Sequence, residues 1–302
     1  MCFVRGSVNF PAIVNGVQVL RNTIPRVFDS GVVANFYDEG VAGTNYTVLR
    51  EVQIAGNTIN DVLDSGAVTT TLGIRVEVNT TGENSITEYG GIRVTDNVVQ
   101  CEDIANIPTS ALWVSLGPDQ TFEFLEVTGN DLRATTSSAN SRGVVHIENS
   151  VPNTVTGSFT SLNLSSNMIE VDASFVGVAY YALSVDLDHV NISDVRVQSN
   201  SLLGNGTTPK ALYLDVNNTG ASNASMTRLR VSENTFFGNS VVSGSGYNLN
   251  GASLSDNTIS GGNALNGTDA ALQIDFQKGA DPTIPLLSNI QITGTVIRGG
   301  FY

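Results

Sequence analysis

One asparagine returns along this chain at nearly regular intervals, each time at the same place in a short apolar pattern. In the segment "RVTDNVV" at 93–99, an apolar residue stands three positions before the asparagine and another stands two positions after it. The asparagines at this position are Asn22, Asn57, Asn97, Asn130, Asn167, Asn200, Asn234 and Asn257, with Thr295 in the ninth place. Successive members lie 23 to 40 residues apart, an interval typical of solenoids in which each repeat adds one rung.

Apolar residues at fixed offsets from this asparagine predict strands that share one buried face. Positions −8, −5, −3 and +2 are apolar or aromatic in all nine repeats, and the −5 and −3 positions have the period of two of a strand. Stacking of the repeats at about 4.8 Å would pair each strand with its equivalents above and below. The asparagines would then form an internal ladder, in which each amide donates to the asparagine one rung away. Asparagine also tolerates the left-handed backbone angles of a turn.

These features predict an all-β fold, a single right-handed parallel β-helix solenoid of about nine rungs over 1–302 with an internal Asn ladder. The repeat region is expected at about 8–300. The pattern in "IRVTDNVV" and "LRVSENTF" resembles the repeat of right-handed parallel β-helix proteins, the pectin-lyase-like superfamily. That resemblance implies the fold and leaves the function open, because the group includes lyases, hydrolases, epimerases, tailspikes and adhesins. The sequence contains no catalytic motif of these families that can be carried over. The lack of an amphipathic capping helix favours part of a longer polypeptide, or ends that partner domains cover.

Composition narrows the range of partners. The net charge of −14 and the pI near 4.3 argue against binding to nucleic acid or to an anionic membrane. No apolar run is long enough to predict a membrane span. Eight Asn-x-Ser/Thr sequons favour an extracellular protein or one on a cell or virion surface, although no signal peptide is visible. Cys101 is predicted to be an inert thiol at a turn.

Most repeats carry a second alternating segment, such as "VVHIENS" at 144–150 and "ALSVDLD" at 182–188. Alignment of their buried positions places two columns on an outer face. The first column reads Val33, Arg75, Trp113, His146, Ser184, Tyr213 and Gln273. The second column reads Asn35, Glu77, Ser115, Glu148, Asp186, Asp215 and Asp275. An exposed tryptophan beside stacked carboxylates is the composition of a sugar-binding groove.

The sequence analysis therefore assigns two groups of candidate residues to this face. The candidate catalytic residues are His146, Glu148, Asp186 and Asp215. The candidate substrate-binding residues are Arg75, Trp113, Tyr213 and Asp188. Like charges on adjacent strands need solvent screening, a raised pKa or a bound cation, so Ca²⁺ is considered, and no cofactor is certain.

The leading hypothesis is an extracellular polysaccharide-interacting protein, with lyase or hydrolase activity left open. The alternative is a non-catalytic structural or adhesive protein, such as a surface stalk, an adhesin or a tailspike-like homotrimer.

Overall fold

The structure is a computed structural model. It describes residues 2–6, 13–14, 16–38, 48–63, 70–80, 88–102, 109–116, 121–135, 143–149, 157–171, 180–188, 190–205, 210–217, 225–245, 248–261, 271–277 and 287–298. These residues form strands and turns and contain no helix, so no helical segment in them could span a bilayer. The prediction of an all-β chain is confirmed.

The strands, numbered in chain order, assemble into three parallel sheets. Sheet 1 contains β1 Cys2–Gly6, β6 Ser30–Asp38, β9 Thr71–Thr80, β12 Thr109–Leu116, β15 Gly143–Asn149, β18 Tyr181–Asp188, β21 Lys210–Asn217, β24 Asn239–Ser245 and β27 Leu272–Gln277. Sheet 2 contains β2 Ile13–Val14, β3 Val17–Leu20, β7 Val48–Ala55, β10 Glu88–Thr95, β13 Thr121–Thr128, β16 Gly157–Ser165, β19 Val190–Gln198, β22 Ser225–Ser232, β25 Asn248–Ser255 and β28 Leu287–Thr293. Sheet 3 contains β4 Thr23–Ile24, β5 Val27–Phe28, β8 Thr58–Leu63, β11 Val98–Glu102, β14 Asp131–Ala134, β17 Met168–Val171, β20 Ser201–Leu203, β23 Thr235–Phe237, β26 Thr258–Ser260 and β29 Val296–Arg298.

Each rung crosses the three sheets in a fixed order. A strand of sheet 2 leads through the asparagine turn into sheet 3, and a strand of sheet 1 follows before the next rung begins. Each rung thus has a third strand besides the two segments that the sequence analysis describes, because the apolar residue after the asparagine lies in a short strand of sheet 3. The stack also begins earlier than position 8, since β1 pairs with β6. The prediction of a parallel β-helix of about nine rungs is confirmed within the described residues, while its right-handed sense and its single domain stay predictions.

The asparagine ladder is formed as predicted. Asn97 donates from Nδ2 to Oδ1 of Asn130 at 3.0 Å, and Asn130 donates in the same way to Asn167 at 2.9 Å. Oδ1 of Asn130 also accepts the backbone N–H of Asn97, and Nδ2 of Asn130 donates to the carbonyl of Val94. The amide therefore makes hydrogen bonds both within the ladder and to the backbone of neighbouring rungs. This pattern continues from Asn22 to Asn257, where Thr295 replaces the next asparagine.

The left-handed residue of the turn precedes the asparagine, which corrects the expectation that the asparagine itself takes this conformation. Every rung has a positive φ, between 54° and 68°, at the position before the ladder. The residues there are Arg21, Gly56, Asp96, Gly129, Ser166, Ser199, Glu233, Asp256 and Gly294. The asparagine is thus explained by the hydrogen bonds of its amide rather than by its backbone freedom.

The core is a single apolar column inside the three sheets. Phe36 of sheet 1, Phe122 of sheet 2 and Phe236 of sheet 3 are among its largest fully buried side chains. Cys101 is also buried, in β11 rather than at a turn, and burial raises the pKa of its thiol, so it is unreactive. At the last rung, the apolar residues three positions before and two positions after the ladder residue are Ile292 and Ile297, and both are exposed.

Replacement of Asn130 by alanine is expected to destabilise the fold strongly. The substitution removes the Oδ1 that accepts both the backbone N–H and the Nδ2 of buried Asn97, and loss of a buried partner costs about 1–3 kcal/mol for each unpaired group. Asn22→Ala is the matched control, because Asn22 occupies the same position at the solvent-exposed end of the ladder. Urea unfolding followed by circular dichroism should show a much larger loss of unfolding free energy for Asn130→Ala than for Asn22→Ala. Equal losses would contradict a stabilising role of the buried ladder.

Replacement of Ser166 by glycine is expected to stabilise the fold by about 0.5–1 kcal/mol. Ser166 is exposed and holds φ at 56°, a conformation that costs an L-residue about 1–2 kcal/mol and costs glycine little. Part of this gain is offset by the larger entropy that glycine has in the unfolded chain. Gly129→Ala at the same position of the previous rung should have the opposite sign. A gain in unfolding free energy for both variants would contradict the argument.

Candidate functional site

The outer face of sheet 1 carries the predicted pair of columns. β15, β18 and β21 pair in register, which places Glu148, Asp186 and Asp215 side by side, as predicted. One strand was missed: β24 lies between β21 and β27, so Ser243 follows Asp215 in the acidic column and Val241 follows Tyr213 in the other. The alternation in "NSVVSGS" at 239–245 is the signal that could have revealed this strand. Three carboxylates on consecutive strands lie near the middle of the face.

The two columns are coupled along each strand. His146 Nε2 lies 3.0 Å from Glu148 Oε2, and the Tyr213 hydroxyl donates to Asp215 Oδ2 at 2.9 Å. The Arg75 guanidinium pairs in the same way with Glu77. In each case the first-column residue lies two positions before the carboxylate, on the same side of the strand. The first column therefore orients the carboxylates of the second.

Trp113 is not the exposed platform that the sequence predicts. Its ring is half-buried, and the Arg75 guanidinium lies over it at 4.9 Å from the ring centroid. Its indole N–H donates to Glu148 Oε1 at 3.0 Å. The reason is that in-register strands bring long side chains of neighbouring rungs into contact across the sheet. Trp113 thus helps to hold Glu148, and a ligand that stacks on the ring face covered by Arg75 must displace that side chain.

Three further residues belong to the face and were missed by the sequence analysis. Tyr181 packs against Tyr213 with ring centroids 5.1 Å apart, and Lys210 Nζ lies 5.9 Å from the Tyr181 ring centroid. Ser243 donates its hydroxyl to Asp215 Oδ1 at 2.8 Å. Tyr181 and Lys210 stand just before the alternating segments "ALSVDLD" and "ALYLDVN", in register with each other.

The like charges of the acidic column are eased by neighbouring donors. Glu148 accepts from the Trp113 indole and interacts with His146, while Asp215 accepts from Tyr213 and Ser243. This remedy was not considered in the sequence analysis, which left out β24, the strand that carries Ser243, and treated the first column only as a ligand-binding surface.

No group of three or more His, Cys, Asp or Glu side chains that could hold a metal is found within the described residues. Asp188 lies in β18 in register with Asn217, but its side chain is outside the description.

The arrangement has the elements of acid–base chemistry. Carboxylates on neighbouring strands start from backbones about 4.8 Å apart, close to the roughly 5 Å between the two carboxyl groups of retaining glycosidases. His146 is buried, with 6% of its surface exposed, and its Nδ1 has no hydrogen-bond partner within the part of the chain that the structure describes. Glu148 and Asp186 are half-buried, so both can meet a ligand.

Comparison with family models, with curated proteins and with solved structures found no match to this chain. The assignment of the fold therefore rests on the sheets, their register and the asparagine ladder.

The phenol of Tyr213 should make stability depend on pH above about 10. Burial is the main cause that raises its pKa, and the carboxylates of Asp215 and Asp186 add to it. Because this phenol ionises less readily in the folded chain than in the unfolded chain, its contribution is complete below pH ~10 and is lost as pH rises further. Urea unfolding at pH ~9 and ~11 should show a smaller loss of stability in Tyr213→Phe than in the wild type. Equal losses would show that Tyr213 is not the group responsible.

Proposed function

We propose that this protein binds a polysaccharide along the outer face of sheet 1. The observation that carries the proposal is the row of carboxylates held by ring-bearing neighbours, in which Trp113 and His146 contact Glu148, and Tyr213 contacts Asp215. Carboxylate oxygens accept hydrogen bonds from sugar hydroxyls, and aromatic rings pack against apolar sugar faces. Half-buried carboxylates and a half-buried ring on successive strands, Glu148, Asp186 and Tyr213, suit an extended chain of sugars.

The side chains that contact Glu148 and Asp215 reduce the entropic cost of binding a ligand. A carboxylate that is already oriented loses little side-chain entropy when a hydroxyl reaches it, so more of the contact energy appears as affinity. Glu148 and Asp215 each have two such neighbours, and half-buried Asp186 lies between them in the register. We assign the central binding positions to half-buried Glu148 and Asp186, with half-buried Tyr213 as the aromatic neighbour, which buried Asp215 orients.

The resemblance of the repeat to the pectin-lyase-like superfamily supports the same ligand class. It also motivates a catalytic form of the proposal, in which Glu148, Asp186 and Asp215 supply acid and nucleophile, or His146 acts with Glu148 as a base. On uronic acid substrates Ca²⁺ would neutralise the substrate carboxylate. An extracellular or surface location fits a polysaccharide ligand.

Substitution of Asp186 is expected to weaken glycan binding. A glycan array of neutral and acidic oligosaccharides, read with and without Ca²⁺, should identify ligands. Asp186→Asn should then lower the affinity about tenfold, since hydrogen bonds to a charged acceptor are lost. Glu123→Gln is the matched control, because Glu123 is an exposed carboxylate on sheet 2. An equal loss of glycan affinity in both variants, or no loss in Asp186→Asn, would contradict glycan binding at the outer face of sheet 1.

The wild-type protein and Asp186→Asn also distinguish a catalytic protein, a binding protein and a structural protein. New reducing ends or unsaturated uronate absorbance, abolished in Asp186→Asn, would establish the catalytic form, and binding without turnover would establish a binding protein. A stable trimer in light scattering, with no glycan bound on the array, would favour the structural or adhesive alternative instead.

A further inference from the structure

Arginines on sheets 1 and 2 form ion pairs with neighbouring glutamates. On the outer face of sheet 2, Arg93 lies between Glu51 and Glu126 and contacts both. On sheet 1, Arg75 pairs with Glu77. The chain has 28 acidic and 14 basic residues, so most arginines can find a carboxylate partner. A group of arginines with too few carboxylates is therefore unusual in this protein.

One such group lies on the outer face of sheet 2, in β19 and β22. Arg196 contacts Asp194 Oδ2 through Nε at 2.9 Å and through Nη2 at 2.6 Å. Arg228 Nε lies 3.7 Å from Asp194 Oδ1, too far for a hydrogen bond. Arg230 is exposed and in register with Arg196. We name Asp194, Arg196, Arg228 and Arg230 the arginine patch.

The arginine patch has three positive charges against one carboxylate. The side chain of Asp194 is 6% exposed and lies below the two arginines that it contacts, so it positions them and leaves parts of both guanidinium groups in solvent. Arg230 makes no ion pair with any described residue. Arg196 and Arg230, on adjacent strands, repel each other. An anion on this surface would relieve that repulsion.

The neighbouring residues leave room for a ligand. Ser161 and Arg228 flank Asp194 in the register, while Asn163 and Ser253 flank Arg196 and Arg230. The uncharged members of this set are short, so they do not cover the guanidinium groups. Guanidinium groups bind oxyanions through paired N–H donors, a geometry that lysine cannot reproduce.

We propose that the arginine patch is a binding site for an oxyanion, a group such as sulfate, phosphate or carboxylate, either free or carried by a larger molecule. This site lies on a different sheet from the face proposed for polysaccharide binding and does not depend on it. The negative charge of the whole chain disfavours long polyanions, so the ligand is a single anionic group rather than a nucleic acid.

The experiment titrates the wild-type chain with sodium sulfate, sodium phosphate or sodium acetate at constant ionic strength, balanced with chloride. Arginine Nε–Hε signals in ¹H–¹⁵N NMR spectra report binding directly. Saturable shifts confined to the arginine patch are expected. Their relative affinities for the three salts show whether a tetrahedral or a planar oxyanion fits better.

Variants decide whether the patch itself binds. Arg230→Gln should weaken binding about tenfold, and Arg230→Lys should restore it only in part, because the charge returns without the paired donors. Arg93→Gln is the matched control on the same face, where the arginine is already neutralised by two carboxylates. Linear, non-saturating shifts, or an equal loss in Arg93→Gln and Arg230→Gln, would overturn the proposal.

Discussion

The hydrogen bonds between successive asparagine amides constrain the rest of this structure. Each internal amide of the ladder joins three rungs, since Asn130 accepts from Asn97, donates to Asn167 and reaches the backbone of Val94. These bonds form only when every rung turns at the same place. Insertions between ladder positions are therefore confined to connections away from the turn. Equivalent strands pair from rung to rung in all three sheets, with local register shifts between β8 and β11 and between β21 and β24.

That register also determines the surfaces. Because equivalent positions lie side by side, a residue type that recurs in the repeat becomes a row across the sheet. On sheet 1 the row is acidic, and donors two residues earlier or one strand away contact two of its carboxylates. On sheet 2 the same geometry juxtaposes Arg196 and Arg230, whose charges Asp194 only partly offsets. Both functional proposals follow from rows of this kind.

Much of the fold was predictable because its signal is repeated nine times. The ladder, the parallel pairing and the rows containing Glu148, Asp186 and Asp215 all follow from residues at fixed offsets. The third sheet was not predicted, because many of its strands have only two to five residues, too few for alternation to be visible. β24 was missed because Ser243 and Val241 replace the acidic and polar residues that mark its neighbours.

The sequence by itself determined a stack of parallel rungs, since spacing along the chain becomes spacing across a sheet once one asparagine marks each turn. It also identified the outer face and most of its residues. Only the tertiary structure decided what those residues contact. Arg75 covers the Trp113 ring, and Ser243 binds Asp215. The physical reason is that period-two alternation predicts which side of a strand a residue occupies, whereas a side-chain contact depends on the rotamers and lengths of residues on neighbouring rungs.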